Sequence, residues 1–297
     1  MFIRKSPIAG SWYPESAPAL AAAVDRHLAH ADRDDVVLGG ELVALISPHA
    51  GLMYSGPVAA HAYRLLRSSP FDVVALVGPS HFVGFDGVAV VPLGGFETPF
   101  GVAPIDAACA ANLRAFTPIV HEHPSAHARE HSLEMQLPFL QRVAPHAAIV
   151  PLVMGYQTAD TAQRLAEALA AVLRGRRALL VASTDLSHYR DRAAASRLDG
   201  TVIDCVSRFD TDALQYAFKV QPEHACGGGP TIAVMRAAEL LGARDAVVLN
   251  YADSGDVSGD KSAVVGYMAA AFGNFTKSAS VQTSATTEVT DTNRGHG

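Results

Sequence analysis

Short apolar runs recur along the chain at residues 42–46 (LVALI), 73–77 (VVALV), 148–153 (AIVPLV) and 178–182 (ALLVA). Each is long enough for a strand covered on both faces and too short for a helix. Residues 87–91, 246–251 and 263–268 read as further strands. Helical patterns lie between them. Residues 16–31 carry Leu20, Val24 and Leu28 at spacings of four behind a Ser16 cap. Residues 57–66, 107–116, 159–173 and 231–241 follow, with Pro57 placed for a first helical turn. This alternation predicts an α/β fold whose largely parallel sheet is covered on both faces. Two consecutive helices at 192–209 and 211–218 break the rhythm and read as a lid or flank. Residues 93–104 (LGGFETPFGVAP) are too rich in Gly and Pro for regular structure.

The chain has 297 residues, 49% of them hydrophobic, enough for one large core or two small ones. Three of the apolar runs end in loops with candidate site residues, which predicts one domain over residues 1–273. From 274 the sequence turns Ser/Thr-rich with little apolar surface to bury, so residues 274–297 read as a disordered polar tail. A net charge of −6 without a Lys/Arg run argues against a nucleic-acid or anionic-membrane surface. No stretch approaches the roughly 18 apolar residues of a membrane span. The first residues lack the apolar region of a signal peptide, so a cytoplasmic location is expected. Cys109, Cys205 and Cys226 are odd in number, widely spaced and free of CxxC, as in a reducing compartment.

Candidate chemistry collects where strands end. The run 42–46 leads through Ser47-Pro48 to His49, 73–77 through Gly78-Pro79-Ser80 to His81, and 178–182 into Ser183-Thr184-Asp185-Leu186-Ser187-His188. Ligand-capable side chains just past the carboxyl ends of buried strands lie where α/β sheets build sites. A single loop-end histidine is usually structural, but two in equivalent positions favour function. Asp185 and His188, three apart, would face the same way on a helical turn, as a metal pair or an acid–base pair; Asp185 also suits a simple cap. Cys226 precedes Gly227-Gly228-Gly229 and reads either as a small core residue or as a soft metal ligand. The glycines lack phosphate-loop spacing. The tract 121–131 (HEHPSAHAREH) reads as mostly solvated loop except for His131, which is expected at a helix N-terminus above a face of Leu133, Leu137 and Leu140. The helix dipole would keep that ring neutral. Trp12, the one tryptophan, either pins an N-terminal arm or lines a pocket.

The ordered set AGSWYP, SPHAGLMYSG, GPSHF, EHSLEMQLPFL, STDLSHY, ACGGGP and LNYADS resembles the Memo family, called AmmeMemoRadiSam system protein B in bacteria. The likeness spans residues 7–272. It implies a central mixed sheet sandwiched by helices, the LigB-like fold of class III extradiol dioxygenases. It also implies a pocket at the positions of His49, His81 and Cys226, with Asp185 and His188 beside them. Ring-cleaving enzymes use two His and one Glu, and Cys226 at the third position points away from ordinary catechol cleavage. Iron or copper is the implied cofactor, with zinc also compatible with such ligands. A small-molecule substrate and a shared pathway with AMME-domain and radical-SAM proteins are implied as well. Three functions follow. The first is a dioxygenase-like metal oxidoreductase with metal on His49, His81 and Cys226 and with His188, Asp185 and His131 moving protons. The second is an adaptor reusing the pocket to bind a peptide or other ligand, and the third a zinc-dependent hydrolase.

Overall fold

The computed structural model describes residues 2–33, 38–68 and 70–276. In chain order the strands are β1 (Ile3–Arg4), β2 (Gly39–Ser47), β3 (Val73–Pro79), β4 (Val88–Val90), β5 (Gly95–Thr98), β6 (Gly101–Pro104), β7 (Val120–Glu122), β8 (Ala148–Met154), β9 (Ala178–Ser183), β10 (His188–Arg190), β11 (Asp245–Asp253) and β12 (Val264–Thr276). The helices are α1 (Ala17–Ala31), α2 (Leu52–Tyr63), α3 (Ala107–Phe116), α4 (Pro124–Ala128), α5 (Leu137–Val143), α6 (Ala159–Leu173), α7 (Arg192–Ser207), α8 (Thr211–Val220), α9 (Gly228–Leu241) and α10 (Gly255–Ser258).

The main sheet runs β10-β12-β2-β9-β3-β8-β4-β7, with β11 also on β12. Strands β2, β9, β3 and β8 are parallel, while β4 joins β8 and β12 joins β2 in antiparallel fashion. The sheet is therefore mixed, with a parallel centre. Alternate residues of β3 go to opposite cores. Val74 and Leu76 belong to one core with Leu20 and Val24 of α1 and Val58 of α2. Val73, Ala75 and Val77 belong to the other with Leu165 of α6 and Val234 of α9. Covering both faces in this way explains why the central strands read as unbroken apolar runs.

Several sequence expectations are corrected. Residues 95–104 form a hairpin, β5 with β6, on which β1 lies in parallel. Gly101, at φ +102°, takes the left-handed conformation that lets so tight a turn close. Helix α2 begins at Leu52, and Pro57 lies inside it. The start moves forward because the Leu52 amide, which has no partner within the helix, donates to the carbonyl of Trp12. The two consecutive helices are a flank: Val202 of α7 and Leu214 of α8 bury into the core shared with α9. Asn274–Thr276 continue β12 and pair with Gly39–Glu41, past the expected boundary at 273. The rest of the expected tail lies outside the described residues. Among the described residues no helix is long and apolar enough to cross a membrane.

Candidate metal centre

Because β9 lies between β2 and β3, the loops after all three strands open at one end of the sheet. These loops bring His49, His81 and Asp185 together. A fourth segment arrives from outside the sheet. The Cys226 amide donates to the Asp185 carbonyl (3.2 Å), and the Gly227 amide donates to Thr184 Oγ1 (2.9 Å). A Cβ on Gly227 would stand 2.7 Å from the Ser183 carbonyl oxygen, so only glycine allows this seam to close. The glycines thus serve close packing. The Gly229 amide is taken by Gln157 Oε1 (2.7 Å), which leaves little of a phosphate cradle.

Ligand atoms of His49, His81 and Cys226 all lie within 4.8 Å of one another. Cys226 Sγ is 3.3 Å from His49 Nε2 and accepts from the Asp185 amide at 3.3 Å. The tautomer of His49 follows from its neighbours. Ser183 Oγ has one proton and donates it to the Ser132 carbonyl (2.6 Å). It must then accept from both Gln136 Nε2 (2.8 Å) and His49 Nδ1 (2.9 Å). His49 therefore carries its proton on Nδ1 and turns a bare Nε2 toward Cys226. Gln136 is itself oriented by Tyr63, whose hydroxyl donates to its Oε1 (2.8 Å). Burial, and then the nearby His81, His131 and His188, hold His49 well below the usual imidazole range. Two imidazoles and a cysteine sulfur within one small span form a borderline-soft donor set once the thiol gives up its proton, so the residues present fit a transition metal or zinc.

The three residues expected to handle protons lie beside His49 and His81, on a cavity that Cys226 does not line; Cys226 faces a separate one of about 630 Å³. His49, His81, His131, Asp185 and His188 line a cavity of about 510 Å³, together with Trp12 and Tyr189. Asp185 Oδ1 accepts from the His49 amide at 2.7 Å. Burial raises its pKa to about 7, against the opposing pull of the His49 and Ala50 amides. Burial lowers His188 and brings His131 to about 4, the latter with help from His81. Burial thus does what the helix dipole was expected to do for His131. That residue precedes a 3₁₀ turn, Glu134–Gln136, and α5 starts only at Leu137. Nor do Asp185 and His188 share a helical turn, since His188 opens β10. The next residue, Tyr189, has φ 56°, unusual for a bulky side chain, and is 77% exposed at the rim.

A family model described as Memo-like protein matches residues 4–271. The chain belongs to the Memo family. It is 35% identical over 272 residues to a MEMO1 family protein of Methanothermobacter thermautotrophicus, covering 89% of this chain and 98% of that one. It is 37% identical over 273 residues to one of Methanosarcina mazei, covering 91% and 98%. A crystal structure of an uncharacterized Escherichia coli K12 protein is similar in fold, with a TM-score of 0.54 at 16% identity over 77% of this chain and 99% of that one.

Within this Memo-family site, sequence reasoning missed Glu130. The tract containing it is far from fully solvated: Ala126, His127, Glu130 and His131 are all buried. Burial alone would raise the Glu130 carboxyl, but hydrogen bonds and charge from His81 hold it at about 2. A carboxylate directly before the one histidine singled out in the tract was the available signal. Trp12 answers to both of its readings. Its ring lies 4.3 Å from that of His131 on the cavity wall, and its carbonyl pins α2. Cys109 and Cys205 are core residues, as expected.

Proposed function

We propose that this Memo-family protein holds a redox-active non-haem metal, iron(II) or copper, on His49, His81 and Cys226 and acts as a dioxygenase-like oxidoreductase on a small molecule. A LigB-like ancestry of the fold accompanies this reading. Its single strongest support is the convergence of two imidazoles and a sulfur, from three separated chain segments, on one span at the sheet's rim. When bound there, the metal would supply single-electron and oxygen chemistry with coordination positions left open.

The chain's own residues would then bind, orient and move protons. Trp12 and Tyr189 give the mouth an aromatic wall for the apolar body of a substrate. Asp185, raised to about 7, changes protonation near neutral pH and is suited to hold or release a proton. Neutral His188 and His131 are placed to accept one. The half-enclosed cavity would limit water around the reacting atoms.

The test is anaerobic reconstitution with iron(II), copper or zinc, followed by elemental analysis and visible spectroscopy. One metal per chain and a thiolate charge-transfer band lost in Cys226→Ser are expected, and His49→Ala and His81→Ala should bind none. Tight binding of zinc alone would turn the reading toward hydrolysis. Undiminished metal occupancy in all three variants would refute the site.

A further inference from the structure

His81 comes from an open loop, with its side chain 26% exposed, yet a metal ligand needs a fixed ring. What fixes it is Glu130, whose side chain is only 1% exposed. Its Oε2 accepts from the His81 amide (2.7 Å), and its Oε1 accepts from His81 Nδ1 (2.9 Å). One carboxylate thus grips the same residue by backbone and by ring. The remaining capacity of Oε1 goes to the amides of His131 and Ser132, each at 2.9 Å. An ionised carboxylate only accepts, so the His81 proton must sit on Nδ1.

The structure assigns Glu130 the role of positioning residue for the metal centre: it locks His81 with Nδ1–H inward and Nε2 free for the metal. This assignment rests on the metal reading above and gives it a second support. Both imidazoles then present the same nitrogen, His49 through Ser183 and His81 through Glu130. Such carboxylate–histidine pairs orient ligands and raise their basicity.

The same inventory decides between two overlapping clusters. His81, Glu130 and His131 also lie close enough to hold an ion. A cation there would have to displace N–H groups from Glu130 and leave buried donors without partners. Glu130 is therefore an orienting group and not a ligand. Through the His131 and Ser132 amides it also sets the turn that carries His131 to the cavity wall.

The decisive measurement needs no metal and no disruptive variant. Long-range ¹⁵N–¹H correlation of the imidazoles in metal-free wild-type protein at pH 8 reads each ring's proton position, with His81 identified by its loss in His81→Gln. A proton on Nδ1 is expected, and a ring protonated at Nε2 alone overturns the assignment. The second arm is zinc or iron(II) affinity by competition with a chromophoric chelator. Glu130→Gln should bind about 10- to 100-fold more weakly, and Glu130→Asp, which keeps the charge, should recover part of the loss. Unchanged affinity in a folded Glu130→Gln overturns it too. Wild-type protein that takes up no metal would sink the metal reading instead, and the tautomer measurement would still judge Glu130.

Discussion

His49 Nε2 and Cys226 Sγ, 177 residues apart in sequence, approach to 3.3 Å across the end of the central sheet. Burial, followed by the charge of Asp185, pushes the Cys226 thiol up, so the metal-free pair is neutral imidazole beside protonated thiol. A metal that binds the sulfur must expel that proton. Metal uptake at pH 7 should therefore release about one proton per site, measurable with a pH indicator in weak buffer. Affinity should rise about tenfold per pH unit while the thiol stays protonated. Cys226→Ser should lose the release. No proton release in wild type would mean that the sulfur is not a ligand.

Ser183 is the smallest part of the site with the most to lose. Replacing it with Ala removes the acceptor for His49 Nδ1, whereas Gln136 Nε2 keeps the Pro48 carbonyl at 3.1 Å. One buried donor is stranded. Ser183→Ala should cost about 1–3 kcal/mol in urea unfolding and free the His49 ring to change tautomer. An unaltered midpoint would show that water replaces the hydroxyl.

Acid sensitivity should come partly from a histidine outside the cavity. His127 is 2% exposed, and its ring nitrogens make no well-formed hydrogen bond, the Ala89 backbone alone lying near enough to oppose the shift. Burial, with Arg4 adding to it, lowers its pKa from 6.5 to about 4. Between these values the unfolded chain binds the proton that the folded chain refuses, so stability is full above 6.5 and falls as pH drops toward 4. The ceiling of this effect is about 3 kcal/mol. His127→Leu should unfold at higher urea concentration than wild type at pH 4.5 and show a shallower dependence between pH 7 and 4.5. Equal slopes would place the acid sensitivity elsewhere.

The path from sequence to site was legible where chemistry follows strand ends. His49, His81 and Asp185 each sit just beyond an apolar run, and adjacency of β2, β9 and β3 converts that pattern into proximity. Cys226 needed the resemblance as well, because nothing in its local sequence says that its loop is stitched to Asp185. Glu130 was hidden because a charged tract looks solvated, and only tertiary packing shows that one of its carboxylates is fully occupied by N–H donors. The hairpin at β5 and β6 was hidden for a related reason. Its Gly and Pro residues make the turn and the edge, β5 and β6 pair with each other, and β1 adds a third strand from far away in the chain.

The arm that carries Trp12 is held by a buried carboxylate, and this gives the cavity wall its own test. Glu134 is fully buried and accepts from Arg4, from Ser6 and from the Tyr13 hydroxyl, the last at 2.7 Å. The Arg4 side chain is 3% exposed, so its charge depends on Glu134 for compensation. Glu134→Gln keeps acceptor oxygen for a hydroxyl but leaves the guanidinium without a counter-charge, a loss of about 3–5 kcal/mol. Tyr13→Phe removes one neutral donor and should cost only about 1 kcal/mol. Because Trp12 is the sole tryptophan, its emission reports this wall without interference. In folded Glu134→Gln the emission should shift to longer wavelength and quench more readily with acrylamide, as the ring loosens from its place beside His131. Tyr13→Phe should shift it little. If Glu134→Gln loses stability while the Trp12 spectrum stays put, then the main-chain bond from the Leu52 amide to the Trp12 carbonyl is enough to hold the wall. The buried ion pair would then serve the hairpin and not the cavity.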